Sequence, residues 1–205
     1  MTGTSPSYAT NFDLTESPIS EGGAWRRANN VWTNVITANG IAFGTNGALD
    51  TYDDSYALLS GFGPDQQAQA VVFRSPGLVT SGTTHEMELL LRFADDTGSV
   101  RGYECLFNYA GGIEIVRWNG ALGDFTSLPI TGGAGNLGRD LVSGDVIRAT
   151  IVGNVISAYI NGVLRAQATD STFATGQPGI GFFTRPAGVS DNPNFGMTSY
   201  SVTSN

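Results

Sequence analysis

The 205-residue sequence has no lysine, one histidine, one cysteine and no apolar run approaching the ~20 residues that a membrane-spanning helix needs. Each shortage excludes something. All ten basic residues are arginines, scattered among 18 acids for a net charge of −8. A phosphate-backbone binder draws its affinity from clustered cations that displace counterions, so nucleic acid is not expected as a partner. With Cys105 alone, no internal disulfide and no thiolate zinc cluster can form. His85 has no Gly-Xaa-Ser-Xaa-Gly elbow to serve, so a Ser-His-acid triad is not expected, and its place at a strand start predicts a surface or edge residue. The glycine-rich stretch 131–138 is followed by no lysine and lacks the strand-to-helix setting of a phosphate loop. The first eight residues lack the basic start and apolar stretch of a secretory signal, and no membrane insertion is expected.

What remains reads as strand and turn, with no clear helical window. From His85 to Phe93 the residues alternate, with Met87, Leu89, Leu91 and Phe93 on one face and Glu86, Glu88, Leu90 and Arg92 on the other. The same rule sets Tyr103, Cys105, Phe107 and Tyr109 against Glu104, Leu106 and Asn108, and Ile113 and Ile115 against Glu114, Val116 and Trp118. One face is expected to be core and the other wet. Residues 146–168 form a three-strand meander, turned at Gly153-Asn154 and at Asn161-Gly162, where Asn-Gly between alternating runs signals a hairpin. Further strands fit at Val31–Thr37, Ile41–Gly44, Ala57–Ser60, Ile180–Thr184 and Met197–Thr203. Many short strands separated by Gly, Asn, Asp and Pro predict an all-β fold, a two-sheet antiparallel sandwich, as one domain over residues 1–205.

Phe12-Asp13 with Trp25, Gly102-Tyr103-Glu104 leading to the run 113–120, the meander 144–164 and the turn Gly176-Gln-Pro-Gly-Ile-Gly-Phe182 together resemble the concanavalin A-like lectin/glucanase superfamily, the laminin-G-like jelly rolls. The resemblance covers nearly the whole chain and implies one convex, packed sheet and one concave sheet carrying a carbohydrate groove. Members bind sugars, hydrolyse or eliminate polysaccharides, or serve as adhesion and virion-surface domains. This sequence lacks the Glu-Xaa-Asp-Xaa-Xaa-Glu strand of the hydrolases, and it lacks the histidine and lysine strands of the alginate-type lyases.

Candidate chemistry follows from the wet face. Glu86 and Glu88 sit two apart on one strand and point the same way, so they can share a groove. Glu88, Arg92, Glu104, Asn108, Glu114 and Trp118 would form a polar floor with one indole if their strands are adjacent. Carboxylates and amides bond hydroxyls, and the ring stacks on C–H faces. Asp53 and Asp54, in the acidic loop Tyr52–Tyr56, offer oxygen ligands for calcium, while an Asp-rich turn needs no metal at all. The expectation is a non-catalytic glycan-binding or adhesion module, extracellular or on a virion surface, with a polysaccharide or cell-surface glycan as partner and other proteins of a surface assembly beside it. The alternatives are a hydrolase or lyase using Glu86, Glu88 or Glu104, and a purely structural decoration protein.

Overall fold

A computed structural model describes residues 5–28, 31–46, 54–185 and 192–205. In chain order the strands are β1 (Ser7–Thr10), β2 (Thr33–Asn34), β3 (Ile36–Ala38), β4 (Ile41–Phe43), β5 (Asp54–Leu58), β6 (Gln66–Arg74), β7 (Thr84–Asp96), β8 (Ser99–Asn108), β9 (Ile113–Trp118), β10 (Phe125–Ser127), β11 (Val146–Val152), β12 (Val155–Ile160), β13 (Val163–Thr169), β14 (Gln177–Arg185) and β15 (Phe195–Ser204). The described residues contain only two short 3₁₀ turns besides. Eight strands form one sheet in the order β13-β12-β11-β6-β15-β4-β3, with β1 also paired to β15. Seven form the other, β10-β9-β8-β7-β14-β5-β2, and only the β2–β5 pairing is parallel. The chain is an all-β, two-sheet sandwich.

Period-two patterning fills the space between the sheets. Ile147, Ala149, Ile151, Ile156, Ala158 and Ile160 from one sheet meet Met87, Leu89, Leu91, Tyr103, Cys105, Phe107 and Ile115 from the other, all fully buried. Burying each isoleucine, leucine, methionine or phenylalanine among them contributes about 1.5–3 kcal/mol. Burial also pushes the Cys105 thiol up, away from reactivity. The meander turns as its sequence demands, since Asn161 (φ 51°) and Gly162 (φ 78°) both take the left-handed conformation of a tight hairpin. His85 corrects one expectation. It lies on the inward face of β7, 1% exposed, against Tyr109 and Phe195.

A bulge in β7 corrects another. Its register to β8 shifts between Leu91 and Ala94, and Arg92 takes φ 48°. The kink is held by Gln66, whose amide oxygen accepts from Arg92 N at 2.9 Å while its nitrogen donates to Gly63 O and Gly176 O. It also needs two glycines, because a Cβ at Gly176 would lie 2.1 Å from the Arg92 carbonyl carbon and one at Gly102 would lie 2.6 Å from Phe93 Cα. Beyond the bulge the faces exchange. Phe93 leaves the Met87–Leu91 row and joins Trp32, Tyr56, Leu58, Leu90, Val100, Val116 and Trp118 in a second apolar cluster on the outer face of the seven-stranded sheet. That face is therefore not simply wet. Part of it is a small core around Trp32, and Asp95 accepts there from Arg26 Nη1 (2.6 Å), Ala28 N (2.7 Å) and Tyr56 Oη (2.7 Å).

Candidate functional site

Three consecutive hairpin-linked strands, β7, β8 and β9, carry most of the predicted floor, and their register places its side chains in rows. One row runs Asp54, Phe183, Glu86, Asn108 across β5, β14, β7 and β8. The next runs Tyr56, Gly181, Glu88, Leu106, Glu114, and the third runs Leu58, Gly179, Leu90, Glu104, Val116. All these residues share one face because the pleat repeats every two residues. The rows change from polar to apolar along the strands, and Glu88 and Glu104 stand diagonally at the boundary.

At the polar end lies a cleft of about 280 Å³, lined by Asp54, Thr84, Glu86, Glu104, Leu106, Glu114, Val116, Trp118, Phe125, Phe183 and Arg185. Glu86 accepts from Asn108 Nδ2 at 3.1 Å, and Glu114 accepts from Ser127 Oγ at 3.3 Å. Glu104 accepts from Trp118 Nε1 at 2.6 Å. Glu88 is 1% exposed and Glu104 3%.

Burial dominates the electrostatics of these acids. It lifts Glu86 to about 7, against the opposing hydrogen bond from Asn108. Glu88 and Glu104 are pushed well above the ordinary carboxylate range, first by burial and then by the acids around them, Glu104 and Asp54 acting on Glu88, and Asp54 on Glu104. The pair behaves as one unit that retains a proton, with Glu104 the better placed to carry charge because the Trp118 indole donates to it. Gly181 makes this arrangement possible, since a Cβ there would lie 2.1 Å from Glu88 Oε2.

The structure brings Glu88, Glu104, Asn108, Glu114 and Trp118 together and leaves Arg92 out. The positive φ at the bulge turns its guanidinium away, to Pro64 O (2.7 Å), Phe173 O (3.1 Å) and Asp65 Oδ1 (3.2 Å). Trp118 is in place but is not the open ring expected. It is 3% exposed, packed against Trp32 at 4.4 Å and Phe125 at 5.2 Å between ring centroids. The aromatic surface facing solvent is Phe125, 41% exposed, on a three-residue strand too short to show alternation in the sequence. Asp54 was also misplaced. It begins β5 and is buried in the floor, not held on a loop, while Asp53 lies outside the described residues. Among the described residues no group of three or more His, Cys, Asp or Glu side chains is arranged to hold a metal ion, and no helix is long and apolar enough to cross a membrane.

No family model matches the sequence, and no curated protein matches it either. Solved structures do match the fold. The carbohydrate binding module CBM66 from Bacillus subtilis superposes with a TM-score of 0.56 at 16% identity, over 92% of this chain and 96% of that one. The Emp47p carbohydrate recognition domain gives 0.54 at 11% identity, over 96% of each chain. A Bacillus licheniformis beta-glucanase gives 0.51 at 15% identity, over 99% of this chain and 96% of that one. Identities this low carry the architecture and nothing finer. Two stacked sheets matched almost end to end by a binding module, a recognition domain and a glucanase give the chain a concanavalin A-like jelly-roll fold.

Proposed function

We propose that the cleft on the seven-stranded sheet binds a carbohydrate chain without cleaving it. The observation that carries this reading is the cleft's mixture of groups, an exposed Phe125 ring beside the hydrogen-bonding carboxylates Glu86 and Glu114. Sugars present hydroxyls at their edges and C–H groups on their faces, and this lining offers a partner for each. The fold neighbours support the reading, since they include a carbohydrate binding module and a carbohydrate recognition domain. Adhesion at a cell or virion surface is the setting we assign to it, because that is where such glycans are displayed. A glycan array with wild type and Phe125→Ala tests the proposal. Binding weakened by about 1–3 kcal/mol in the variant is expected, and a wild-type protein silent on the array would sink it.

A second reading is favoured by one observation. Glu86, lifted to about 7 inside the cleft, has the affinity of a general acid near neutrality. Against it, Glu88 and Glu104 are almost wholly inaccessible, and Glu104 is bonded inward to Trp118, so neither is presented to a sugar's anomeric carbon as a nucleophile. Incubation with neutral and acidic polysaccharides separates the two readings. The binding reading expects no new reducing ends and no unsaturated-product absorbance. Turnover abolished in Glu86→Gln with the fold intact would establish the hydrolytic one.

A further inference from the structure

The cleft is set apart by its charge. Four carboxylates line it, Asp54, Glu86, Glu104 and Glu114, each on an outward-facing position of β5, β7, β8 or β9. Arg185, on β14, is the basic side chain among the described residues that line it. Beneath them lies a fifth acid, Glu88, whose buried Oε2 has no hydrogen-bond partner among the described residues. That oxygen occupies the space a side chain at position 181 would fill, on the cleft face of β14 and toward the strand that carries Asp54. A buried acceptor without a donor is costly, and acids so placed also repel one another. The cleft is therefore crowded with acids, and a ligand that brings positive, hydrogen-donating groups offsets the repulsion among those that line it.

The spacing decides what kind of cation fits. A metal ion needs carboxylates converging on one point, and no such group of three occurs among the described residues. These acids stand instead in sheet rows, with neighbouring strands about 5 Å apart. Rows suit an extended ligand whose donors are spread along it. We infer that the cleft selects sugars carrying protonated amines, units of the glucosamine type, over their N-acetylated, neutral or acidic counterparts, an inference that rests on the proposal that the cleft takes a carbohydrate chain. An ammonium group gives three charge-assisted hydrogen bonds, whereas an N-acetyl group gives one neutral one and a uronate is repelled. Phe125 supplies the apolar contact that any of these sugars shares.

Calorimetry at about pH 7.5, where Glu86 is largely ionised and a sugar amine still keeps roughly half its charge, tests this with short β-1,4-linked oligomers of glucosamine, N-acetylglucosamine, glucose and glucuronate. Glucosamine oligomers should bind at least about tenfold more tightly than the others, with the gap narrowing at high salt. Glu86→Gln and Glu114→Gln should each weaken glucosamine binding about threefold or more and leave N-acetylglucosamine binding unchanged. Asp13→Asn, an exposed acid outside the cleft, controls for attraction by net charge and should change nothing. Equal or tighter binding of the amine-free oligomers overturns the inference and leaves the carbohydrate reading standing. An equal loss in Asp13→Asn also overturns it, because the attraction would then belong to the whole molecule. Silence toward every oligomer and toward a broad glycan array brings down both.

Discussion

The two sheets share one interior and differ in their acids. The strands of the eight-stranded sheet contain no carboxylate, and their charged residues are Arg74, Arg148 and Arg165. The strands of the seven-stranded sheet carry Asp54, Glu86, Glu88, Asp95, Asp96, Glu104 and Glu114. The outer face of the first sheet is covered by Gln69, Thr150, Tyr159 and Gln167, among others, with the Arg148 guanidinium 4.2 Å over the Tyr159 ring. That of the second has a small core of its own and acids buried beside it. A face that only needs to stay soluble has no use for a buried, self-repelling carboxylate pair. Where one is kept, stability has been given up at a specific place, a pattern that supports the proposed site.

The largest expected effect breaks the comparison at its apolar end. Phe93→Ala should cost about 3–5 kcal/mol in urea unfolding, because it empties the second cluster, while Tyr159→Ala on the opposite face should cost about 1 kcal/mol or less. Equal losses would show that the outer faces are built alike.

The second prediction concerns pH. Folded Glu86 keeps its proton to about 7 against an ordinary 4.5, so between those values the folded state holds more protons than the unfolded one. Its contribution is fully present below about pH 4.5 and is lost as pH rises through 7, a decline on the order of 2–3 kcal/mol to which Glu88 and Glu104 add. Glu104→Gln, which keeps an acceptor for Trp118, should flatten the decline and stabilise the protein at neutral pH. Stability that rises from pH 5 to 8 would contradict the burial of these acids.

Asp145 sharpens the contrast with the smallest effect. Standing before β11 of the acid-free sheet, it is held down to about 2, first by the Arg139 guanidinium and then by Val142 N and Asn161 against the effect of burial. Its contribution is present above about pH 3.8 and is lost as pH falls through 2, the reverse of the cleft acids. Asp145→Asn should cost about 1–2 kcal/mol near neutrality and remove that acid limb from the stability curve.

Much of this was readable from periodicity. Alternation in three consecutive strands put Glu86, Glu88, Glu104, Asn108 and Glu114 on one face, and hairpin connections made those strands neighbours. The bulge was not readable, because a positive φ at Arg92 depends on Gln66 and Gly176, far away in sequence. The same long-range dependence hid Trp32, which turns part of a predicted wet face into core and covers the Trp118 ring. Phe125 went unassigned and Asp54 was assigned to a loop, because a strand of three residues, or the first residue of a strand, has too little period to register.

Because β7, β8 and β9 follow one another directly, Glu86, Glu88, Glu104 and Glu114 lie within one uninterrupted stretch, residues 84–118. The proposed recognition surface is therefore a cassette. Recombination of that stretch alone would exchange most of the acid floor and leave the eight-stranded sheet untouched. A one-residue deletion within any of its strands would do the opposite, swinging that strand's acids into the oily interior beyond the deletion. On the proposed reading, specificity can thus be traded as a block or revised by substitution, whereas length changes are confined to the open hairpin tip at Thr97-Gly98.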